Sequence, residues 1–392
     1  MPLLRTRLTT LLVMSLFGLG TCVSDTDVTD VPGGADVART EAARPAPSLT
    51  ARPPASSQPS RTSAALSLLV SDARAPGAAL VSRTHSSSRF ESAGPGIRRT
   101  DRFRAGSITK TLVATVVLQL AAEGRLRLSD TVEHHLPGLV RGHGNNGRLL
   151  TLRMLLSHTS GLYDYTAAVS APAPTTPRAA LRIALARAPA PLGSYRYSNT
   201  DYVLLGLVVK KVTGRSYADE ATDRIIVPLG LTGTSFPGER TALPSPHGRA
   251  YTWDPDSGGP RRDVTELDPR PAGAAGELIS TLDDLDRFYS ALLGGRLLAG
   301  PQSRELLDTT ATHGAYGLGI YPQRLSCGLT VWGHNGRISG SYVRTATTAD
   351  GRHTLTFRVN TDAIPDASLE SIEQTLLDAE FCRSGEAPRT RS

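Results

Sequence analysis

The sequence predicts an α+β fold in which an antiparallel sheet is built from both chain ends, flanked by helices and interrupted by an all-helical insertion. Three observations predict it: strand patterns before residue 100, further strand patterns after residue 325, and mostly helical and loop patterns between about residues 110 and 260. With 392 residues, of which 39% are hydrophobic, the chain is long enough for one large core or two fused smaller ones.

The predicted strands are short runs of apolar or alternating residues bounded by turn residues. They cover Gly77–Ser82, Arg89–Ser92, Leu329–Gly333, Ser341–Thr347 and His353–Asn360. Asp350 and Gly351 supply a hairpin turn between the last two of these strands.

The predicted helices have apolar residues near helical spacing, and Gly or Pro follows most of them closely. They cover Ala64–Val70, Ser107–Glu123, Leu152–Ser157, Pro177–Ala188, Asp201–Val212, Thr281–Gly294 and Leu369–Phe381. The hydroxyl of Thr281 is expected to cap its helix by bonding the backbone at Asp284.

The first 24 residues have the pattern of an export signal. Arg5 and Arg7 precede an apolar run, Leu8–Gly20, that is too short to span a bilayer. The residues before Cys22 also form an imperfect lipoprotein-type cleavage site, so lipidation of Cys22 and ordinary cleavage both stay open, with a membrane-anchored helix as a third alternative. Each alternative predicts a domain outside the cytoplasm, secreted or lipid-anchored on the outer face of the cytoplasmic membrane.

A linker is predicted over residues 25–61, because this stretch is rich in Pro, Ala and Ser and has almost no large apolar side chains. The folded domain is predicted over residues 62–384. A disordered tail is predicted over residues 385–392.

Cys327 and Cys382 would remain after export, and an oxidising compartment favours a disulfide between them. In the chain-entropy model, such a bond stabilises the fold by roughly 4 kcal/mol, less any strain. The alternative is a pair of buried free thiols.

The charge of the chain does not indicate a nucleic-acid partner. The net charge is +7, but the arginines are scattered and no basic run reaches five residues, so an anionic cell envelope fits better. We also expect no metal, because His134 and His135 are adjacent, which makes them point apart on a helix, and no HExxH or paired-Cys motif occurs. His158 is interpreted as a structural cap at a helix end.

Ser107 and Lys110 open the clearest predicted helix, and their spacing of three places both on one helix face. The helix dipole favours a developing alkoxide at Ser107, and a desolvated lysine has the lowered pKa that a base needs. Only three of the 43 basic residues are lysines, so a lysine here is informative, because a guanidinium cannot release its proton. The alternative role for Ser107 is a helix N-cap.

Tyr197, Ser198 and Asn199 are expected in a loop before the helix that starts near Asp201. Such a loop can project a phenol and an amide into a cleft, where a phenol near a lysine can act as a base. The alternative for Tyr197 is an ordinary packed aromatic side chain.

His334, Asn335 and Gly336 follow the strand pattern that begins at Leu329. An edge strand here can bind substrate backbone and offer amide donors to an oxyanion. The alternative is a polar loop that leaves the strand.

These three segments form an ordered set, S-x-x-K, Y-x-N and H-x-G, that resembles the motifs of the penicillin-recognising serine hydrolases. That group includes class C beta-lactamases, related esterases and D-alanyl-D-alanine carboxypeptidases. Flanking stretches are similar as well: Phe103–Lys110, Leu155–Leu162, Tyr195–Leu205, Leu278–Phe288 and Tyr316–Gly319. The LSCG stretch, Leu325–Gly328, with Cys382 behind it, most resembles the secreted carboxypeptidases. The resemblance covers roughly Ala64 to Cys382 and implies the beta-lactamase/DD-peptidase fold.

The resemblance implies that Ser107 forms an acyl-enzyme, while Lys110 and Tyr197 shuttle the proton, with the identity of the general base left open. The oxyanion hole would be the backbone N–H groups of Ser107 and Arg337. No cofactor is implied.

Further residues are assigned to substrate binding by the same resemblance. Asn199 would orient Lys110 and the substrate amide. His334 would support the hydrogen-bond network of the tyrosine phenol, and Asn335 and Gly336 would lie along the substrate.

Some residues depart from the carboxypeptidase pattern. An arginine that holds the terminal carboxylate is expected shortly before the LSCG stretch, yet Tyr321–Gln323 fill that region, with Arg324 or Arg337 as possible replacements. Asn335 stands where a threonine is usual, and Glu277 stands where an uncharged residue is usual. A carboxylate at Glu277 would repel a D-alanine terminus if it faced the cleft.

The function expected from the sequence is a D-alanyl-D-alanine carboxypeptidase-like hydrolase or acyl-transferase that acts on peptidoglycan peptides and is acylated by beta-lactams. An esterase or a beta-lactamase on the same fold is the alternative within the enzyme class. A non-catalytic protein that binds cell-wall fragments is the alternative of another class. We expect a monomer.

Overall fold

A computed structural model describes residues 60–169, 173–253 and 259–382. The predicted export signal with Cys22, nearly all of the predicted linker and the predicted tail lie outside these residues. Within them, no helix combines the length and the apolar character needed to cross a bilayer.

The main sheet is antiparallel throughout, as the sequence predicts. Its strands in the described chain are β1 (Ala78–Arg83), β2 (Ser88–Ala93), β3 (Tyr321–Arg324), β4 (Thr330–Ile338), β5 (Ser341–Thr348) and β6 (Thr354–Val359). Their order across the sheet is β2-β1-β6-β5-β4-β3. Because β1 pairs with β6, the two ends of the domain meet in the middle of the sheet.

Helices cover both faces of this sheet and form the insertion between β2 and β3. They are α1 (Arg61–Ser71), α2 (Ile108–Ala122), α3 (Val132–His135), α4 (Leu152–Leu156), α5 (Pro177–Leu185), α6 (Asn199–Thr213), α7 (Tyr217–Ala221), α8 (Val227–Leu229), α9 (Leu282–Leu293), α10 (Gly300–Leu306) and α11 (Asp366–Phe381). Two-residue strand pairs add Phe103–Arg104 to Ile279–Ser280, Arg141–Gly142 to Asn145–Asn146, and Tyr251–Thr252 to Arg262–Asp263.

The sheet separates two apolar cores, because alternate side chains of a strand point to opposite faces. Leu80 of β1 and Phe357 of β6 pack with α1 and α11 on one face. Val81 and Val343 pack on the other face with α9, α2 and the helical insertion. The apolar side chains of α2 are buried on all sides, because this helix lies between the sheet and the insertion.

Three local expectations need correction. The strand β4 extends past its predicted end at Gly333 to Ile338, so the strand interpretation of His334–Gly336 is correct and the alternative, a loop that leaves the strand, is not. The helix α6 begins at Asn199, which places this amide on the first helical turn and not in the loop. The strand β3 was missed, because Pro322 weakens a strand pattern; an edge position, which β3 has, tolerates proline.

The structure contains the predicted disulfide. Cys327, in the turn between β3 and β4, is bonded to Cys382 at the end of α11, with a Cα–Cα distance of 5.7 Å. The bond ties the edge of the sheet to the last helix.

Candidate active site

Ser107 occupies the N-cap position of α2, but its side chain does not cap the helix. The hydroxyl makes no hydrogen bond to the first-turn amides. Instead, the Lys110 amine lies 3.0 Å from Ser107 Oγ. The N-cap alternative therefore describes the position of Ser107 in the chain and leaves its hydroxyl available for chemistry.

The Lys110 amine is buried and held by three oxygen atoms. Besides Ser107 Oγ, it lies 2.8 Å from Asn199 Oδ1 and 2.6 Å from the Ala275 carbonyl oxygen. A neutral amine has two hydrogens and one lone pair. Since the amide and carbonyl oxygens can only accept, the two hydrogens go to them, and the lone pair is left for the hydroxyl of Ser107.

Burial lowers the pKa of Lys110 to about 7. The carboxylates of Asp164 and Asp201 oppose this effect, because a nearby negative charge favours the ammonium form. The balance leaves a substantial neutral fraction near neutral pH, which is the property a general base needs.

Asn199 is fixed by contacts that the sequence did not indicate. Its Nδ2 donates to Asp164 Oδ2 at 3.0 Å and to Thr166 Oγ1 at 3.2 Å, while Oδ1 accepts from Lys110. The expected contact with the lysine is therefore present. Because the Nδ2 group already donates to Asp164 and Thr166, it is not free for the expected contact with a substrate amide.

Tyr197 lies beside both other reactive groups. The Lys110 amine lies 4.9 Å from the centre of the Tyr197 ring. Burial raises the pKa of Tyr197 well above its usual value, although the Ser107 side chain is close enough to the phenol to oppose this rise. The phenol is therefore protonated at neutral pH and can donate a proton.

The His334 ring lies beside the Tyr197 ring, with centroids 6.3 Å apart, and also packs against a second tyrosine, Tyr316. Its Nε2 is 2.7 Å from the Tyr316 hydroxyl, and its Nδ1 is 2.5 Å from the Asn335 carbonyl oxygen. The carbonyl requires a proton on Nδ1, so Nε2 accepts from Tyr316. The Tyr316 ring lies edge-on to Tyr197 with centroids 6.4 Å apart, so the predicted support runs through ring packing. Burial lowers the pKa of His334 to about 3, which keeps this imidazole neutral.

His158 follows the C-terminal end of α4 in the left-handed conformation, with φ +58°, as expected of a helix-ending residue. Its side chain has a second role that the sequence did not indicate. The ring is fully buried and packs at a tilt against the Tyr197 ring, with centroids 4.3 Å apart, and its Nδ1 lies 2.9 Å from Asp201 Oδ2. Because Asp201 holds the His158 ring in place, this ring in turn restricts the position of the Tyr197 ring.

Gly336 allows β4 to touch the turn that carries the nucleophile. A Cβ at Gly336 would overlap the Ala105 carbonyl oxygen and lie 3.2 Å from the Ser107 nitrogen. The strand β3 pairs only with Thr330–Gly333, so the rest of this edge of β4 is open to the Ser107 turn.

The amide of Arg337 points towards that turn. A two-residue turn joins β4 to β5, and Ile338 and Ser341 form the hydrogen-bonded pair that closes it. Because successive amides of a strand point in opposite directions, the amide of the preceding residue, Arg337, points away from β5. A Cβ at Gly106 would lie 3.0 Å from the Arg337 nitrogen. The amides of Ser107 and Arg337, which are expected to form the oxyanion hole, therefore lie on opposite sides of the contact between the Ser107 turn and β4.

The two arginines suggested as replacements for the carboxylate-binding group lie away from the nucleophile or pair with another side chain. The Arg337 guanidinium donates to Asp366 Oδ1 at 2.8 Å. Arg324 is exposed and pairs with Thr330, six residues along β4 from Gly336. Neither arginine is placed to hold a carboxylate beside Ser107.

Glu277 does not present a free carboxylate to the cleft. It is only 6% exposed and accepts a hydrogen bond from the Tyr217 hydroxyl. Burial raises its pKa. The repulsion of a D-alanine terminus considered from the sequence therefore has no support in the structure.

The histidine pair that argued against a metal is closer together than expected. The rings of His134 and His135 lie with centroids 4.8 Å apart. With Asp130 they place three potential ligand atoms within 4.8 Å of one another, and His135 Nε2 is 3.1 Å from Asp130 Oδ2. The argument that adjacent histidines point apart was wrong for this single-turn helix, whereas the absence of a metal stays a prediction.

Comparison with known proteins gives consistent matches. A family model described as Beta-lactamase matches residues 38–367. Penicillin-binding protein 4 of Amycolatopsis lactamdurans is 31% identical over 266 residues, which is 62% of this chain and 68% of that protein. PbpX of Bacillus subtilis (strain 168) is 29% identical over 222 residues, 56% of this chain, and the chain spans about half of that relative, 53% of its length.

Two solved structures share the fold over most of the chain. A D-stereospecific amidohydrolase from Streptomyces sp. is 42% identical, has a TM-score of 0.75, and the match covers 82% of this chain and 98% of that one. The D-amino acid amidase from Ochrobactrum anthropi SV3, in complex with L-phenylalanine amide, is 23% identical with a TM-score of 0.71, and the match covers 81% of this chain and 97% of that one. At 23% identity, the likeness to the Ochrobactrum anthropi amidase is evidence for the fold alone.

Proposed function

The chain belongs to the beta-lactamase family of serine hydrolases, and on that basis we propose that it is an amidohydrolase that forms an acyl-enzyme on Ser107 with the acyl part of D-amino acid amides and short D-peptides. The observation that carries this proposal is the meeting of the Ser107 hydroxyl, a desolvated Lys110 amine and the Tyr197 phenol at one point, beside the open edge of β4.

The acylation step follows from the protonation states. Neutral Lys110 takes the proton of the Ser107 hydroxyl as its oxygen bonds to the substrate carbonyl carbon. The Ser107 and Arg337 amides donate to the resulting oxyanion; one such donor typically contributes about 3 kcal/mol to lowering the barrier.

The leaving amine is expelled as the C–N bond breaks. Tyr197 donates its proton to that amine and regains one from the Lys110 ammonium, so no net proton is lost. Water then attacks the ester carbonyl, passes a proton to the base, and returns Ser107 to its resting form. Lys110 is the general base in this scheme, because burial keeps the Tyr197 phenol protonated.

The substrate class follows from what the site lacks as well as what it holds. The two arginines available to replace the carboxylate-binding group lie against Asp366 or at the far end of β4. A primary carboxamide releases ammonia and has no terminal carboxylate, so its hydrolysis needs no such cation. The 42% identity with the Streptomyces D-stereospecific amidohydrolase supports the same class.

A D-alanyl-D-alanine carboxypeptidase is the second candidate, favoured by the likeness to a penicillin-binding protein. Beta-lactams would then acylate Ser107, because their strained amide copies the scissile bond. An esterase or beta-lactamase activity on the same machinery stays open, and a binding protein without catalysis is the remaining alternative.

One experiment separates these candidates. Purified protein is mixed with D-phenylalaninamide, its L-enantiomer, a peptide ending in D-Ala-D-Ala, a short chromogenic ester and a chromogenic cephalosporin. The proposal predicts the highest kcat/KM on the D-amide, and a covalent adduct on Ser107 detected by mass spectrometry that Ser107→Ala abolishes. Faster turnover of the D-Ala-D-Ala peptide would favour the second candidate, and no turnover and no adduct with any compound would exclude an enzyme of this kind.

The place of action belongs to the same proposal. The enzyme acts outside the cytoplasm, near the cell wall, either secreted or lipid-anchored through Cys22. The disulfide between Cys327 and Cys382 supports an oxidising compartment. Fractionation of cells and mass analysis of the mature N-terminus test this, and size-exclusion chromatography tests the expected monomer.

A further inference from the structure

Two buried arginines line one small cavity beneath the nucleophile turn. Arg104, three residues before Ser107, and Arg358, in β6, are each 3% exposed. The cavity is also lined by Phe103, Gly340 and Ser341, which belong to the same two backbone segments that meet at the candidate active site.

Three of the side chains that line this cavity have donors without partners. Within the described residues, Nε and Nη1 of Arg104, Nε and Nη1 of Arg358, and the Ser341 hydroxyl are buried and have no hydrogen-bond partner. Among the residues that the structure describes, the Arg104 guanidinium makes one hydrogen bond, from Nη2 to the Thr241 carbonyl oxygen. Buried donors without acceptors cost about 1–3 kcal/mol each, and more when they are charged.

The nearby acidic groups do not neutralise the two guanidinium groups by contact. Asp101, which faces Arg358, accepts from the backbone and Nε of Arg98. Asp268, which faces Arg104, is hydrogen-bonded by Arg270. Burial lowers the pKa of each buried arginine only to about 10, so both stay charged at neutral pH.

The size of the cavity restricts its ligand. The cavity volume is about 10 Å³, near the minimum for one water molecule. A sulfate or phosphate ion is too large for it. A water molecule accepts only two hydrogen bonds and carries no charge, whereas a halide accepts several hydrogen bonds and offsets a positive charge.

We infer that Arg104, Arg358 and Ser341 form a buried binding site for a monatomic anion of the chloride type. The anion bridges β6 to the short strand before Ser107 and to the turn after β4. These are the segments that lead into the two amides of the oxyanion hole, at Ser107 and Arg337. If the proposed function holds, chloride also raises the acylation rate by holding these amides in place.

Binding is tested independently of activity. Crystals grown with bromide in place of chloride should show an anomalous peak between the two guanidinium groups at the bromine absorption edge. In solution, thermal unfolding is followed from 1 to 300 mM chloride at constant ionic strength, with gluconate as the balancing anion. An anion at ten times its Kd lowers the unfolding equilibrium constant about tenfold, so Tm should rise with chloride.

Variants show whether the effect belongs to this site. Arg358→Met removes one guanidinium and should abolish the chloride dependence of Tm, and Ser341→Ala, a smaller change, should weaken it. Arg352→Met, at an arginine whose side chain is 78% exposed, is the matched control and should keep the full dependence.

The outcomes are distinct. An anomalous peak in the cavity and a chloride effect lost in Arg358→Met, or weakened in Ser341→Ala if Arg358→Met does not fold, support the site. No bromide peak, or a salt effect that is the same in all variants, would overturn it and leave a bound water as the cavity's occupant. A chloride effect on Tm without an effect on acylation would keep the site and reject only its link to catalysis.

Discussion

The substitution Asp164→Asn tests whether Lys110 is the general base. Asp164 faces the lysine across the Asn199 side chain, with Asn199 Oδ1 2.8 Å from the amine and Nδ2 3.0 Å from the carboxylate. With about 2.3 Å between the two ends of an amide, the charges lie at most about 8 Å apart. At an effective dielectric constant of about 20, this corresponds to about 2 kcal/mol, or roughly 1.5 pKa units, and solvent at the half-buried Asp164 reduces it to about one unit.

The sign of the effect follows from the charge that is removed. The carboxylate favours the ammonium form, so its loss lowers the pKa of Lys110 from about 7 to about 6. Acylation requires the neutral amine and therefore rises with pH through this pKa. At pH 6 the neutral fraction should increase from about a tenth to about a half. An asparagine oxygen at the Oδ1 position can still accept from the Thr166 amide and, at 3.3 Å, from Asn199 Nδ2, whereas the NH2 group at the Oδ2 position can no longer accept from Asn199.

The assay is a pH profile of kcat/KM between pH 5 and 9 on a D-amino acid amide. The inflection should lie near pH 7 in the wild type and about one unit lower in Asp164→Asn. Asp350→Asn, at an exposed carboxylate in the turn before β6, is the control and should leave the inflection in place. A wild-type profile without an inflection near pH 7, or an inflection that stays or moves upward in Asp164→Asn, would refute the assignment of Lys110.

Other substitutions test the same structure. Lys110→Arg should lower the acylation rate by about 10²–10⁴-fold in stopped-flow measurements, because a guanidinium cannot accept the proton; near wild-type rates would contradict general-base catalysis. Gly336→Ala places a methyl group into the backbone beside the nucleophile and should lower kcat by about 10²–10³-fold, whereas Gly300→Ala, whose new Cβ meets no atom closer than 3.6 Å, should leave kcat unchanged. Replacing both Cys327 and Cys382 by serine should remove up to about 4 kcal/mol of stability and lower Tm by about 10 °C, because the bond joins residues 55 apart in the chain. An unchanged Tm in calorimetry would mean that the bond contributes little.

Most of the helices and strands, and the contact between Ser107 and Lys110, could be predicted from local patterns in the sequence. The caps, stops and apolar spacing of α9 predicted its ends, because such signals act within one helical turn; Thr281 accepts from the Asp284 amide at 3.2 Å as expected. The spacing of Ser107 and Lys110 determined their contact for the same reason. No local rule predicts a contact between two residues that are 90 positions apart in the sequence. The position of Tyr197 beside Ser107 and Lys110 was therefore predicted only from the resemblance of the ordered motifs.

The pairing of the charges around the site depends on which distant segments meet in the folded chain. Asp164 behind Asn199, Asp366 on Arg337 and Tyr217 on Glu277 are contacts between distant segments, and none of these residues carries a local signal of its partner. Whether an arginine binds a substrate, an ion or another side chain depends on which segments meet around it. The sequence therefore determines which chemical groups are available, and packing decides which of them are left free to act.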